Sequence, residues 1–143
     1  MTMESGPRII EPAVEKTRWT CRMGRAGIAA LMLAGSATAA LAADPAAGQQ
    51  IFKAQCSICH SVAPGVNSIG PTLFGVVGRL AGSVPGFQYT AEHKKLGVTW
   101  DAASLDKYLT NPAAMVPDTT MIYAGLKDDA ERADLIAYLQ TLH

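Results

Sequence analysis

Cys56, Cys59 and His60 form the run Cys-Ser-Ile-Cys-His, with two thiols three residues apart and an imidazole directly after the second. Three chemistries use such a spacing: half of a zinc site, a dithiol redox pair, and covalent attachment of haem. Zinc needs further ligands, yet after the run the chain offers no cysteine and only His93 and His143. A closed zinc site is hard to build from those. A thioredoxin-like pair belongs in a βαβ setting, whereas helical periodicity precedes Cys56 and a glycine- and proline-rich stretch follows Cys59. The C-x-x-C-H run therefore reads as a haem attachment site, in which each thiol adds to one vinyl group and His60 supplies an axial ligand. The run leaves the other axial ligand open, and that ligand separates an electron carrier from a ligand binder or an enzyme.

The beginning of the chain bears on where this chemistry takes place. Arg18, Arg22 and Arg25 precede an uncharged stretch rich in Ala and Leu, from Ala26 to Ala43. A basic flank, an apolar run and small residues in that order make a secretory signal peptide. Residues 1–42 are thus expected to be a leader, cleaved after Ala42 or Ala43, and residues 43–143 an exported, periplasmic domain. Retained instead, about 18 apolar residues would sit at the lower limit for a membrane anchor, although the Ala-rich composition favours cleavage. The stretch before the apolar run is long for a leader, and Met23 offers a later start. Removal of the leader takes Cys21 with it and leaves Met115 and Met121 as the remaining methionines. From Ala43 onward 7 Lys and Arg stand against 9 Asp and Glu, a net charge of −2.

The elements that must position the run can be read around it. The exported part shows no internal repeat or linker, and about 100 residues is a usual size for one domain. Asp44-Pro45 offers an N-cap with proline at the first helical position. Ala47, Ile51 and Phe52 follow at helical spacing, so a helix delivers the two cysteines. From Ser61 to Phe87 no period persists, and a loop of that length needs something to wrap around. A haem would give Val62, Ile69, Leu73, Phe74, Val76 and Val77 a surface to bury against. Thr90 caps a short helix through Lys95, and Ala102 to Leu109 is another. Asn111-Pro112 starts a single turn carrying Met115, stopped at Val116-Pro117. Asp128 caps a last helix whose Leu135, Ile136, Leu139 and Leu142 form an apolar stripe, with Tyr138 beside it. Gly48, unfavourable inside a helix, would allow the first and last helices to cross closely. His93, next to Lys94 and Lys95, is expected to be solvated, and His143 is terminal.

Taken together, Gly48 to His60, Gly70-Pro71-x-Leu73, Gly78-Arg79, Pro85-Gly86-Phe87-x-Tyr89-Thr90, Trp100, Tyr108-Leu109-x-Asn111-Pro112 and Pro117-x-Thr119-x-Met121 through Gly125 resemble a class I cytochrome c of the mitochondrial and bacterial c2 type. The resemblance covers the chain from Asp44 to Leu142. It implies an all-α cytochrome c fold, about five helices around one covalently attached haem c. It also implies histidine and methionine as axial ligands, and one-electron transfer as the activity, with no catalysis. The family ligand lies in the Pro-x-Thr-x-Met stretch, which makes Met121 the partner of His60. Met115, on a helical turn, suits the usual role of methionine as a core filler. By the same carry-over Pro71 accepts from His60, while Arg79, Tyr89 and Trp100 bond the haem propionates. Tyr108 and Thr119 stand behind the methionine.

Partners follow from the same comparison. Positions that carry lysines around the haem edge of the mitochondrial relatives read Gln55, Ala113, Ala114, Thr120 and Asp128 here, with Lys127 the one match. The expected docking face is therefore more apolar, including Ala113, Ala114, Val116 and Tyr123. A monomeric carrier with transient redox protein partners is expected, shuttling electrons between respiratory or dehydrogenase proteins. Nucleic acid is not an expected partner, and a membrane enters only through partner complexes or an uncleaved leader. Two alternatives remain: a haem subunit of a dehydrogenase or oxidase complex, and a peroxidase or ligand sensor with a labile Met121.

Overall fold

Five side chains start the helices of this chain by accepting hydrogen bonds that the first helical turn cannot make internally. A computed structural model describes residues 42–143; the leader expected over residues 1–42 falls, but for Ala42, outside them. The helices are α1 (Pro45–Gln55), α2 (Ala91–Lys95), α3 (Ala102–Thr110), α4 (Pro112–Met115) and α5 (Asp129–Gln140). The caps are Asp44, Thr90, Asp101, Asn111 and Asp128. Asp101 and Ser104 form a reciprocal capping box that sequence reading did not anticipate. Among the described residues there is no strand, only one antiparallel bridge between Leu80 and Thr99. The all-α expectation is thereby met.

The helices α1 and α5 cross at Gly48. A Cβ there would overlap the Asp134 carbonyl and lie 2.9 Å from Cβ of Tyr138, so only glycine allows the backbones to meet. Next to the crossing, the rings of Phe52 and Tyr138 pack with centroids 5.6 Å apart. The Asp44 amide donates to the Asp134 carboxylate at 2.7 Å, tying the entry of α1 to α5. Leu135, Ile136 and Leu139 from the expected stripe are buried with Leu105 and Tyr108 of α3 in one core.

Arg132, on α5, is almost fully buried at 5 % exposure. It donates to Asp106 of α3 at 2.6 Å, to Asp129 at 2.7 Å and to the Leu126 carbonyl at 2.9 Å. A buried guanidinium is tolerated because these acceptors replace its water shell. It joins α3, α5 and the chain between them.

The stretch from residue 56 to 90 contains no helix or strand, so its polar backbone atoms need other partners. Side chains provide several. Asn67 accepts from the Thr72 amide and donates to the Pro85 carbonyl, each at 3.0 Å. The Thr72 hydroxyl donates to Ala63 at 2.8 Å and accepts from the Phe74 amide at 3.1 Å. Val76 is buried, Val62, Leu73 and Val77 pack partly buried against the core, and Ile69 stands out at 75 % exposure.

The crossing makes a checkable demand. An exposed helix glycine gains about 1 kcal/mol on replacement by alanine, but overpacking at a backbone contact costs about 1–3 kcal/mol. Gly48→Ala is expected to lower the urea midpoint of the holoprotein. A raised midpoint would show that the helices can part.

Candidate haem site

The chain leaves α1 in tight turns, with the amides of Cys56 and His60 donating to Phe52 and Cys56 carbonyls at 2.9 Å. These turns set the spacing of the two sulfurs and turn the imidazole away from solvent. Cys56 and Cys59 are not joined in a disulfide, which leaves both sulfurs for attachment. Burial, with a smaller contribution from Cys59, pushes the Cys56 thiol up to about 11, so it keeps its proton at neutral pH.

Two backbone bonds lay the segment from residue 70 to 73 against the run: Gly70 N–H to Cys59 at 2.7 Å and Leu73 N–H to Ser61 at 2.8 Å. His60 Nδ1 is 2.8 Å from the Pro71 carbonyl. A carbonyl only accepts, so Nδ1 carries the proton and Nε2 keeps a free lone pair. Burial lowers the His60 pKa and the Pro71 bond opposes it in part, so the ring is neutral at pH 7. Gly70 was not singled out as a site residue, yet a Cβ there would strike the imidazole, 2.7 Å from Nδ1. Only glycine leaves room for the ring in this position.

On the methionine side the chain is irregular after α4. The Thr119 hydroxyl accepts from the Met121 amide at 3.2 Å. Tyr108, at 8 % exposure, lies beside Thr119, and burial raises its pKa with Thr119 opposing in part. The Tyr123 hydroxyl donates to Gln55 at 2.8 Å, which brings the Met121 segment to the end of α1, one residue from Cys56. Met115 and Met121 both pack partly buried against the core.

Arg79, Tyr89 and Trp100 also converge. Trp100 is buried with its ring centroid 4.9 Å from that of Tyr108. Burial raises the Tyr89 pKa, opposed by the nearby Arg79 and by the Val84 backbone. Arg79 donates to the Thr72 and Phe74 carbonyls, each at 2.8 Å, a loop-bracing task that its place in the sequence did not disclose.

Two expectations need correction. His93 is not solvated: it is half-buried, its ring 4.9 Å from Tyr89 and 6.0 Å from Tyr108. The lysines beside it misled, because on a single-turn helix neighbours point to different sides. Val116, assigned to the docking face, is fully buried at 0 % exposure, because the chain turns inward after α4. Ala113 and Ala114 are exposed. Lys127 is tied to the Thr110 carbonyl at 2.5 Å.

The residues present suit a flat apolar group held at two edges. Val62, Leu73, Val77, Val98, Leu109 and Met121 are half-buried apolar residues at the rim of the core. Gly70 leaves the imidazole against bare backbone. Among the described residues no group of three or more His, Cys, Asp or Glu could hold a metal without such a cofactor. This fold and donor set define a helical domain built to carry a covalently attached haem.

The cytochrome c family profile matches residues 45–143. Similar proteins include cytochrome c2 of Rhodomicrobium vannielii, 53 % identical over 78 % of this chain and 89 % of that protein. Cytochrome c2 of Blastochloris viridis is 44 % identical over 76 % of this chain and 86 % of its own length. For cytochrome c of Euglena viridis the figures are 44 %, 69 % and 97 %. The chain belongs to the cytochrome c family, on its class I, c2-like side. It is an electron carrier rather than an enzyme, and its cofactor is one covalent haem c.

The contact at Gly70 is open to test. In the holoprotein, Gly70→Ala is expected to displace the His60 ring and to weaken its bond to Pro71. Overpacking of this kind costs about 1–3 kcal/mol. Faster solvent exchange of the His60 Nδ1 proton by NMR, with a lowered unfolding midpoint, is the expected outcome; unchanged exchange would dismiss the contact.

Proposed function

We propose that the chain is a soluble, exported one-electron carrier whose haem iron is held between His60 Nε2 and Met121 Sδ. The observation that carries this reading is the bracing of both candidate ligand segments from outside. Pro71 and Gly70 orient His60, while Tyr108, Thr119 and the Tyr123–Gln55 bond restrain the Met121 segment. Ligating imidazoles are oriented by such acceptors.

Held by His60 and Met121, haem would supply a one-electron couple whose potential methionine ligation would raise. With both positions taken by the protein, substrate has no iron site to enter. Neutral His60 and a thioether add no charge of their own. Rigid ligand segments keep the reorganisation between oxidation states small. Arg79, Tyr89 and Trp100 offer donors for the propionates, Arg79 with those of its five N–H groups not given to the loop.

Residues 1–42 act in this reading as a leader removed after Ala42 or Ala43, and residues 43–143 work in the periplasm. No described helix is long and apolar enough to cross a membrane. Partners are transient redox proteins, and the carrier is a monomer. The docking face centres on Ile58, within the attachment run, and Ile122, beside Met121, at 80 % and 104 % exposure. Ala113, Ala114 and Tyr123 extend it. With Lys127 tied down and no lysine ring, steering by charge is weak.

Ferric spectra test the ligation. The holoprotein is expected to show a sulfur-to-iron charge-transfer band that Met121→Ala abolishes. Absence of the band in the unaltered protein, or its survival in the variant, would overturn the assignment. Docking is tested by stopped-flow rates with a redox partner. Between low and moderate salt the rate is expected to change by less than about threefold, since exposed charges more than a Debye length apart are screened. A steep fall would restore the basic-ring picture.

A further inference from the structure

Every aromatic residue expected near the propionates and the methionine touches one group to which neither the family resemblance nor the proposed ligation gives a task. The His93 ring lies 4.9 Å from Tyr89, 6.0 Å from Tyr108 and 6.4 Å from Trp100, centroid to centroid. Its amide is fixed by the Thr90 cap at 3.3 Å, so α2 presents the ring inward. From Tyr108 the path continues through Thr119 to the Met121 amide. Tyr89 and Tyr108 titrate far above neutrality and Trp100 not at all, so His93 is the member of this cluster that can change charge under ordinary conditions.

We propose that His93 is a proton-linked tuning residue of electron transfer: its imidazole binds a proton more tightly when the carrier is reduced than when it is oxidised. Reduction brings one electron from the redox partner, and up to one proton from solvent forms an N–H bond on His93; oxidation returns both. The half-exposed position lets the proton exchange with water. An added electron favours a nearby cation, and in a half-buried cluster that attraction is only partly screened. The proton affinity of His93 is therefore higher in the reduced protein, and the reduction potential falls as pH rises between the two pKa values.

The charged surroundings set where this happens. On α2 itself Glu92, Lys94 and Lys95 are exposed, with Glu92 and Lys95 paired at 3.6 Å. From the preceding loop Tyr89 faces the ring, with Arg79 near Tyr89. From α3 comes Tyr108, and from the segment after α4 comes Asp118, whose charge favours protonation. Gly82 packs its uncharged backbone on the His93 carbonyl. Burial outweighs Asp118 and holds the His93 pKa below its ordinary 6.5, which places the transition on the acid side of neutrality.

The proposal rests on haem bound beside Tyr108 and Met121, and its test keeps the two apart. Midpoint potentials of the holoprotein are measured against pH, and the His93 imidazole is titrated by NMR in both oxidation states. A several-fold difference in proton affinity is expected, each tenfold being worth about 59 mV for one electron. His93→Asn is expected to remove the pH-dependent step while keeping the sulfur-to-iron band. A step that persists in the variant, as a titrating propionate would give, overturns the proposal, and so do equal His93 pKa values in the two states. Loss of the band in the unaltered protein would instead strike at the ligation. Should His93→Asn fail to fold, the NMR comparison in the unaltered protein decides alone.

Discussion

Contact between two backbones at Gly48 governs where everything else in this domain can lie. With no side chain at that position, α1 rests on the Asp134 carbonyl and the Tyr138 side chain of α5. Helix axes normally stay 8–10 Å apart because side chains separate them. Here the separation is set by the main chain, which has far fewer ways to yield. The direction of α1 is then fixed at both ends, by the Asp44 to Asp134 bond at its start and by Phe52 against Tyr138 toward its finish. Since Cys56 is the C-cap of α1, the attachment run inherits its position from this crossing. A covalent cofactor needs such an origin, because any freedom in the helix would be passed to both thioether bonds.

From that origin the site is assembled by short hydrogen bonds rather than by regular structure. The segment from residue 70 to 73 is laid on the run by two amides, and the His60 to Pro71 bond closes the turn. The opposite wall is tied back to the end of α1 by Tyr123 and Gln55. Both walls are irregular for a physical reason. A sheet or helix would commit the backbone to its own ladder, whereas a loop leaves amides and carbonyls free to orient side chains. The cost is that Asn67, Thr72 and Arg79 must satisfy the polar groups that a ladder would have paired.

These relations explain what sequence could and could not disclose. The attachment run was legible because its chemistry is contiguous, and the helices because caps and apolar spacing act within four residues. Gly48 was legible as an anomaly inside a helix. The roles of Pro71, Tyr108 and Thr119 came from family resemblance, since no local pattern links residues so distant in the chain. His93 and Val116 were misjudged from their neighbours, one being taken for solvated beside lysines and the other for exposed beside alanines. Arg132 went unnoticed because a lone arginine on an acidic helix start looks like an ordinary surface charge. Its burial depends on acceptors brought by α3 and by the Leu126 carbonyl. In each case the missing information is which distant element covers the residue.

Burial around the site also selects which charges remain to act on it. His60 is pushed toward its neutral form, Tyr89 and Tyr108 are held as phenols, and Cys56 keeps its proton before attachment. A centre that gains a single electron in such surroundings changes its own charge against a nearly constant background. That constancy limits the relaxation accompanying each transfer to the one group of the cluster that can titrate near neutrality, His93. Asp118 and Arg79 are permanent charges that act on this lining, and each is opposed to burial in its effect on a neighbour. His60, Tyr89 and Tyr108 therefore hold their protonation states by desolvation, and His93, where burial and Asp118 pull in opposite directions, is left as the group that can respond.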